Sequence, residues 1–265
     1  MLRIYFLDVG QGESTLLILP DGTNMLIDTG SPAAAPMLVD NLMYLGINRI
    51  DHLILTHPHD DHIGGIFNVL HEMEVVNMYD NSFDNFKSNL FWDYVRVVRN
   101  DPARYQFLRA GDSLVVGDIE IRVLNPIIPP TGNINEDSIV LRVSYGDIGI
   151  LLTGDVRSMG EKRILESDHT VKSNILKIGH HGDTGASSEN FLNTVAPEVA
   201  VISAGADNKY VKPHGDALSR IHASGADVFR TDVHGHIIVE TDGTTYAVRT
   251  RRNFLHSEKK TGGNN

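Results

Sequence analysis

The chemistry-bearing residues of this chain concentrate in one hexapeptide, His57-Pro58-His59-Asp60-Asp61-His62. His57, His59, Asp61 and His62 offer imidazole and carboxylate groups, ligands that suit zinc and manganese and that iron also accepts. The apolar run His52-Leu53-Ile54-Leu55-Thr56 reads as a buried strand, and the loop past its end lets ligands two residues apart converge. Asp61 and His62 then turn toward an adjacent position. Pro58 restricts the loop backbone, and Gly64-Gly65 allows close approach before the next helix. A lone His-x-His pair would read equally well as a solvated polar loop. Four ligand-type residues in six positions, directly after an apolar strand, read as a metal site. With thirteen histidines and no cysteine, thiolate ligands, disulfides and a cysteine nucleophile are excluded.

The elements that must position this loop follow from hydrophobic patterning. Residues 2–9 and 14–19 read as strands joined by the tight loop Gly10-Gln11-Gly12, and Met25-Leu26-Ile27-Asp28 as a short strand ending in an acid. Helical spacing of Met37, Leu38, Leu42 and Leu45 is stopped by Gly46. A helix-like segment follows around Ile66, Val69 and Leu70, and residues 77–101, polar and then amphipathic, read as an inserted helix. Strands return at 114–116, 119–124, 139–143 and 148–153, and a helix at 160–167 precedes a strand at 175–178. Helices near 191–195 and 217–224 alternate with strands at 199–203, 228–230 and 237–240. Two related α/β halves packed sheet to sheet are expected.

At 265 residues, 41% hydrophobic and 22% charged, the chain can bury a real core. It has no apolar run of the ~18 residues needed to span a bilayer and no signal-peptide pattern, so cytoplasmic residence is the expectation. The net charge of −11 argues against a protein that coats nucleic acid generally. It leaves a phosphodiester substrate open, because bound cations can dominate the field of a site.

The His57-x-His59-x-Asp61-His62 pattern resembles the signature of the metallo-β-lactamase superfamily, and other segments agree in order and spacing. Asp28 looks like the first motif, a structural acid that supports the histidine loop. Asp155, in Leu151-Leu152-Thr153-Gly154-Asp155, looks like the bridging aspartate, and His180 like the last ligand. The resemblance implies a four-layer αββα sandwich of the α/β class, as one domain over residues 1–252 with a disordered tail over 253–265. Four segments are further similar to the soluble hydrolase domain of the ComEC family of competence DNA-uptake proteins. They are Phe6-Leu7-Asp8-Val9-Gly10-Gln11-Gly12-Glu13-Ser14, residues 53–59, Lys177-Ile178-Gly179-His180-His181-Gly182, and Arg230-Thr231-Asp232. This similarity covers roughly residues 2 to 248. Full-length members carry a membrane-spanning channel that this sequence lacks, so a stand-alone relative is expected.

Two departures matter. Most superfamily members place a third histidine before the bridging aspartate, whereas Asn133-Ile134-Asn135-Glu136-Asp137-Ser138 has none, as in the ComEC-like group. Asn135, Asp137 or water would then complete a weaker metal position. In Tyr210-Val211-Lys212-Pro213-His214, Lys212 stands where relatives often have histidine. It reads either as a contact to an anionic substrate or as a surface-loop residue.

The resemblance implies two divalent ions, zinc or manganese, with His57 and His59 on one, Asp61, His62 and His180 on the other, and Asp155 between them. Such a pair lowers the pKa of bound water and clamps attacking and leaving oxygens. The expected activity is that of a metal-dependent phosphodiesterase or nuclease acting on DNA through a metal-bound hydroxide, with Asp61 also a candidate for orienting the nucleophile. No membrane or protein partner is expected. The alternatives are hydrolysis of a lactone, β-lactam, thioester or phosphocholine ester, or a degenerate metal-binding module without catalysis. His214 and His181 are candidates for substrate contact or leaving-group protonation, or for hydrogen-bonded support, and His181 is also a possible metal ligand. Asp8 and Glu13 could line the site mouth. His234 and His236 read as a hairpin turn, and Arg249, Arg251 and Arg252 as a basic terminus.

Overall fold

Alternation along the strands assigns the layers. In β1 (Leu2–Phe6), Leu2, Ile4 and Phe6 enter one buried cluster while Tyr5 joins another on the opposite face. The computed structural model describes residues 1–84, 86–100 and 104–254. β1 is followed in its sheet by β2 (Thr15–Ile18), β3 (Asn24–Ile27), β4 (Arg49–Ile54), β5 (Glu74–Asp80) and β6 (Tyr105–Phe107). A seven-stranded second sheet holds β7 (Ser113–Val116), β8 (Ile119–Asn125), β9 (Val140–Tyr145), β10 (Ile148–Leu152), β11 (Ile175–Lys177), β12 (Val199–Ile202) and β13 (Asp227–Arg230). The chain then returns through β14 (His236–Thr241) and β15 (Tyr246–Arg251), completing an eight-stranded first sheet in the order β15-β14-β1-β2-β3-β4-β5-β6.

Between the sheets, Ile4, Phe6, Ile27 and Ile54 of the first pack with Val143, Ile150, Leu152 and Val201 of the second. The outer face of the first sheet is covered by α1 (Ala35–Tyr44), the short α2 (Asp60–Ile63), α3 (Ile66–Glu72) and α4 (Asn89–Tyr94). That of the second is covered by α5 (Ser158–Leu165), α6 (Glu189–Val195) and α7 (Gly215–Ala223). Strands buried on both faces must be apolar at every position, which is why β10 and β12 read as unbroken hydrophobic runs. The four layers are the expected αββα sandwich. Among the described residues no helix is long and apolar enough to cross a membrane.

Several elements differ from the sequence expectation. Residues 74–80 form the buried parallel strand β5, and the helix expected over 77–101 is confined to α4 and a π-helical turn at Val95–Arg99. Polar residues disguise that strand because their partners are tertiary. Asn77 Nδ2 donates to Asp51 O, and the buried Asp80 accepts from Tyr94, Arg99 and Tyr105. Arg249 and Arg251 lie in the edge strand β15, not in a terminus. His234 ends α8 (Thr231–His234), and His236 opens β14 and accepts the Asp8 amide at 3.0 Å, so this pair is not a hairpin turn. Of the expected tail, Phe254 is 1% exposed and stacks on His236 with ring centroids 4.1 Å apart. Residues 255–265 lie outside the described residues.

Candidate metal centre

The parallel pairing of β3 with β4, Ile27 beside Ile54, brings Asp28 level with the start of the histidine loop. Asp28 is fully buried and accepts three short bonds, from the Thr56 amide, the Thr56 hydroxyl and His62 Nδ1, each 2.7 Å. With its hydroxyl hydrogen committed to Asp28, Thr56 Oγ1 accepts from His57 Nδ1 at 3.1 Å. Both imidazoles are thereby held in the tautomer that leaves Nε2 free as a ligand atom. The loop also needs small residues beside it. A Cβ on Gly64 would lie 2.3 Å from Pro32 N, and one on Gly12 2.5 Å from Asp61 O.

Asp155 arrives from β10 through Thr153-Gly154, and its amide donates to Ser138 Oγ at 3.2 Å. Its Oδ2 lies 3.6 Å from His57 Nε2 and 3.3 Å from His62 Nε2. Past β11, His180 and His181 both adopt left-handed backbone, with φ 49° and 57°, a strained pairing of the kind found at functional sites. His181 Nδ1 donates to Ser203 O at 2.9 Å, and Nε2 faces Asp61 Oδ2 at 3.4 Å and Asp155 Oδ1 at 3.6 Å.

Two groups of ligand atoms result: His57, His59 and Asp155, and Asp61, His62 and His181. The residues fit divalent ions by a specific test. His62 Nε2, His181 Nε2 and Asp155 Oδ1 are buried without hydrogen-bond partners, a costly condition that a shared cation would relieve. His57 Nε2 and His59 Nδ1, 2.9 Å apart, converge in the same way.

The electrostatics agree. Burial would raise the Asp155 pKa, but His62, His181 and His57 hold it well below the usual carboxylate range. Burial would lower His62, yet Asp155 and Asp28 hold it well above an ordinary histidine. His57 is pushed well below by burial and by neighbouring His62.

The structure revises several site expectations. His181 takes the place expected for His180 beside Asp61 and His62. His180 instead lines the cavity, 3.7 Å from Asp155 Oδ2 and 3.8 Å from Asp183 Oδ2. Asp137 spends its oxygens on Thr131 and the Gly132 amide, which clamps a loop and leaves it outside the two ligand groups. Asn135 Oδ1 is buried without a hydrogen-bond partner, while Ser138 of the same segment contacts Asp155. Glu13 does not line the mouth; it is buried against Lys177 Nζ at 2.7 Å. Asp8 caps the Gly10 amide, and Gln11 lines the cavity instead. His214 accepts the Thr184 amide at Nδ1 (3.0 Å) and donates from Nε2 to Tyr210 O (3.2 Å), which employs both nitrogens in holding a loop. Lys212 is 9% exposed and lines the cavity, so it is no surface-loop residue. Thr56 and Asp183 were missed. Asp183 gathers Arg157, His180, Lys212 and His214 within 4 Å, and its only sequence signal is its place after His180-His181-Gly182.

The cavity over these groups has a volume of about 780 Å³, ample for a small ligand. Its floor is His59, Asp61, Asp155, His180 and His181, and Lys209, Tyr210 and Lys212 form one wall.

A four-layer sandwich with this His/Asp floor defines a metal-dependent hydrolase class. Residues 7–206 match the family model described as the metallo-beta-lactamase superfamily, and the chain belongs to that superfamily. Within it the chain is 32% identical over 253 residues to ComE operon protein 3 of Bacillus subtilis, covering 89% of this chain and 32% of that protein. It is also 32% identical to competence protein ComA of Neisseria gonorrhoeae, covering 86% and 30% respectively. The chain thus spans about a third of the length of the curated relatives it matches. The fold is shared with the metallo-beta-lactamase fold protein YhfI of Bacillus subtilis (12% identity, TM-score 0.58, covering 89% of this chain and 98% of that one).

Proposed function

We propose that this chain is a metal-dependent phosphodiesterase acting on DNA. The carrying observation is Lys212, a buried ammonium in the wall of a cavity whose floor is the His/Asp cluster, in a chain of net charge −11. A positive group kept there against burial, which lowers its pKa, suits an anionic substrate. The relative named a competence protein, together with the ComEC-like segments of the sequence, favours DNA. Residence in the cytoplasm belongs to the same proposal, and the cysteine-free composition fits it.

His57, His59 and Asp155 would hold one ion, and Asp61, His62 and His181 the other. Bound ions, zinc or manganese, would supply Lewis acidity and an activated water. The chain's own residues do the remaining work. Asp28 and Thr56 fix the imidazole tautomers, Asp61 is placed to orient the nucleophile, and Lys212 offers positive charge to phosphoryl oxygens.

Purified protein supplied with manganese or zinc is expected to hydrolyse single- or double-stranded DNA or a chromogenic phosphodiester. Failure on all three with metal demonstrably bound would sink the proposal. In the same assay His214→Gln is expected to keep its rate within about threefold of the parent, because a general acid would cost ~10²–10⁴-fold on removal. A loss of that size would restore His214 to the chemistry.

A further inference from the structure

On this phosphodiesterase reading, we infer that Gln11 and Lys212 form a two-pronged clamp for a non-bridging phosphoryl oxygen. The inference starts from an unused donor. Gln11 lines the metal cavity, and its Nε2 is buried with no hydrogen-bond partner. The amide orientation is not arbitrary, since the Gly205 N–H is directed at Oε1 (3.3 Å) and only an oxygen can accept it. The donor end therefore has no acceptor in the protein. Lys212 is paired with a carboxylate but keeps donors to spare. Its Nζ is 3.6 Å from Asp183 Oδ2, longer than a hydrogen bond, and it too belongs to the cavity wall.

The two donors are built into one connected rim. Gly205, which presents its amide to Gln11, accepts from Asn208 Nδ2 at 2.8 Å. The same Asn208 nitrogen donates to Lys212 O at 2.6 Å, and Asn208 Oδ1 accepts the Lys212 amide at 3.0 Å. No side chain fits between the two loops, because a Cβ on Gly205 would lie 2.4 Å from Gln11 N. A neutral donor and an ammonium, carried on two tied loops and lining one cavity, suit a tetrahedral anion with oxygens to spare. A planar, uncharged lactam or thioester carbonyl offers less to such a pair. Gln11 is thus a specificity-determining residue for the phosphoryl class.

The test is calorimetric titration of the manganese-loaded protein with orthophosphate, alongside metal content and thermal melting. Gln11→Met removes the Nε2 donor without adding charge, whereas a carboxylate at this position would repel an anion whether or not the donor had bound it. A hydrogen bond to a charged acceptor is worth roughly ten- to hundredfold in affinity. Gln11→Met and Lys212→Met are each expected to weaken phosphate binding by about tenfold or more, with metal content and melting temperature unchanged. Parental binding by Gln11→Met would overturn the clamp and leave the phosphodiesterase reading standing. Weakened binding accompanied by loss of metal would also overturn it, since Gln11 would then be supporting the centre. If the parent protein neither binds phosphate nor cleaves a phosphodiester, the functional reading fails and the clamp fails with it.

Discussion

Asp155→Ala protein is expected to retain less than about a tenth of the parental divalent metal after dialysis, and to lose hydrolysis by at least ~10²-fold. One carboxylate serves both groups of ligands. Its Oδ2 faces His57 and His62, and its Oδ1 faces His181. Without it the first group keeps only His57 and His59, and two nearby cations would lack the anion that screens them from each other. His59→Ala is the informative contrast, because it removes one ligand from one group only and should leave about one ion per chain. Metal analysis of both variants decides the matter, and two ions retained by Asp155→Ala would refute the arrangement.

A pH dependence accompanies this result. With Nδ1–H donated to Asp28, the extra proton of His62 sits on Nε2, the atom that must bind metal. Asp155 and Asp28, outweighing burial, hold that proton on well above the ordinary histidine range. Metal uptake at neutral pH must therefore release it, and affinity should fall as pH falls. Calorimetry in buffers of different ionisation enthalpy reads the released proton directly.

The second large effect is on stability. Lys177→Met is expected to cost about 3–5 kcal/mol, because it leaves the Glu13 carboxylate buried without its cation. Lys177 is 0% exposed and Glu13 1% exposed, and Nζ also donates to Ile178 O at 3.0 Å. The pair joins β11 of the second sheet to the loop after β1 of the first. Glu13 also ties the site, since its amide donates to Asp61 O at 3.0 Å and its carbonyl accepts the Gly30 amide at 2.8 Å. At ~2–4 °C per kcal/mol, the melting temperature should drop by roughly 10 °C. Adding Glu13→Gln should recover most of the loss, because the uncompensated charge is then gone. A melt of Lys177→Met within a degree or two of the parent would contradict this account.

Much of the site is legible where chemistry is local. His57, His59, Asp61 and His62 stand within six residues after an apolar strand, and that spacing alone marks a candidate metal site. Asp28 and Asp155 are legible through their order and their places at strand ends. The β5 strand is not, because the partners of Asn77 and Asp80 come from residues that sequence patterning cannot bring to them. β15 was hidden for a related reason, since an edge strand keeps arginines exposed and so resembles a solvated terminus.

The distinctions of finest grain belong to the tertiary structure. His180 and His181 are chemically equal neighbours, and composition gives no reason to prefer one. Left-handed backbone at both and the Ser203 carbonyl on His181 Nδ1 aim His181 at Asp61, leaving His180 at the cavity edge. Lys212 and His214 are likewise two residues apart, and loop hydrogen bonds at both nitrogens keep His214 occupied while Lys212 lines the cavity. The sequence by itself determined the family and the layered fold, because strand periodicity and motif spacing are local properties. Which donor meets which partner was decided only by folding, since segments more than a hundred residues apart must converge before one atom's lone pair can be told from its neighbour's.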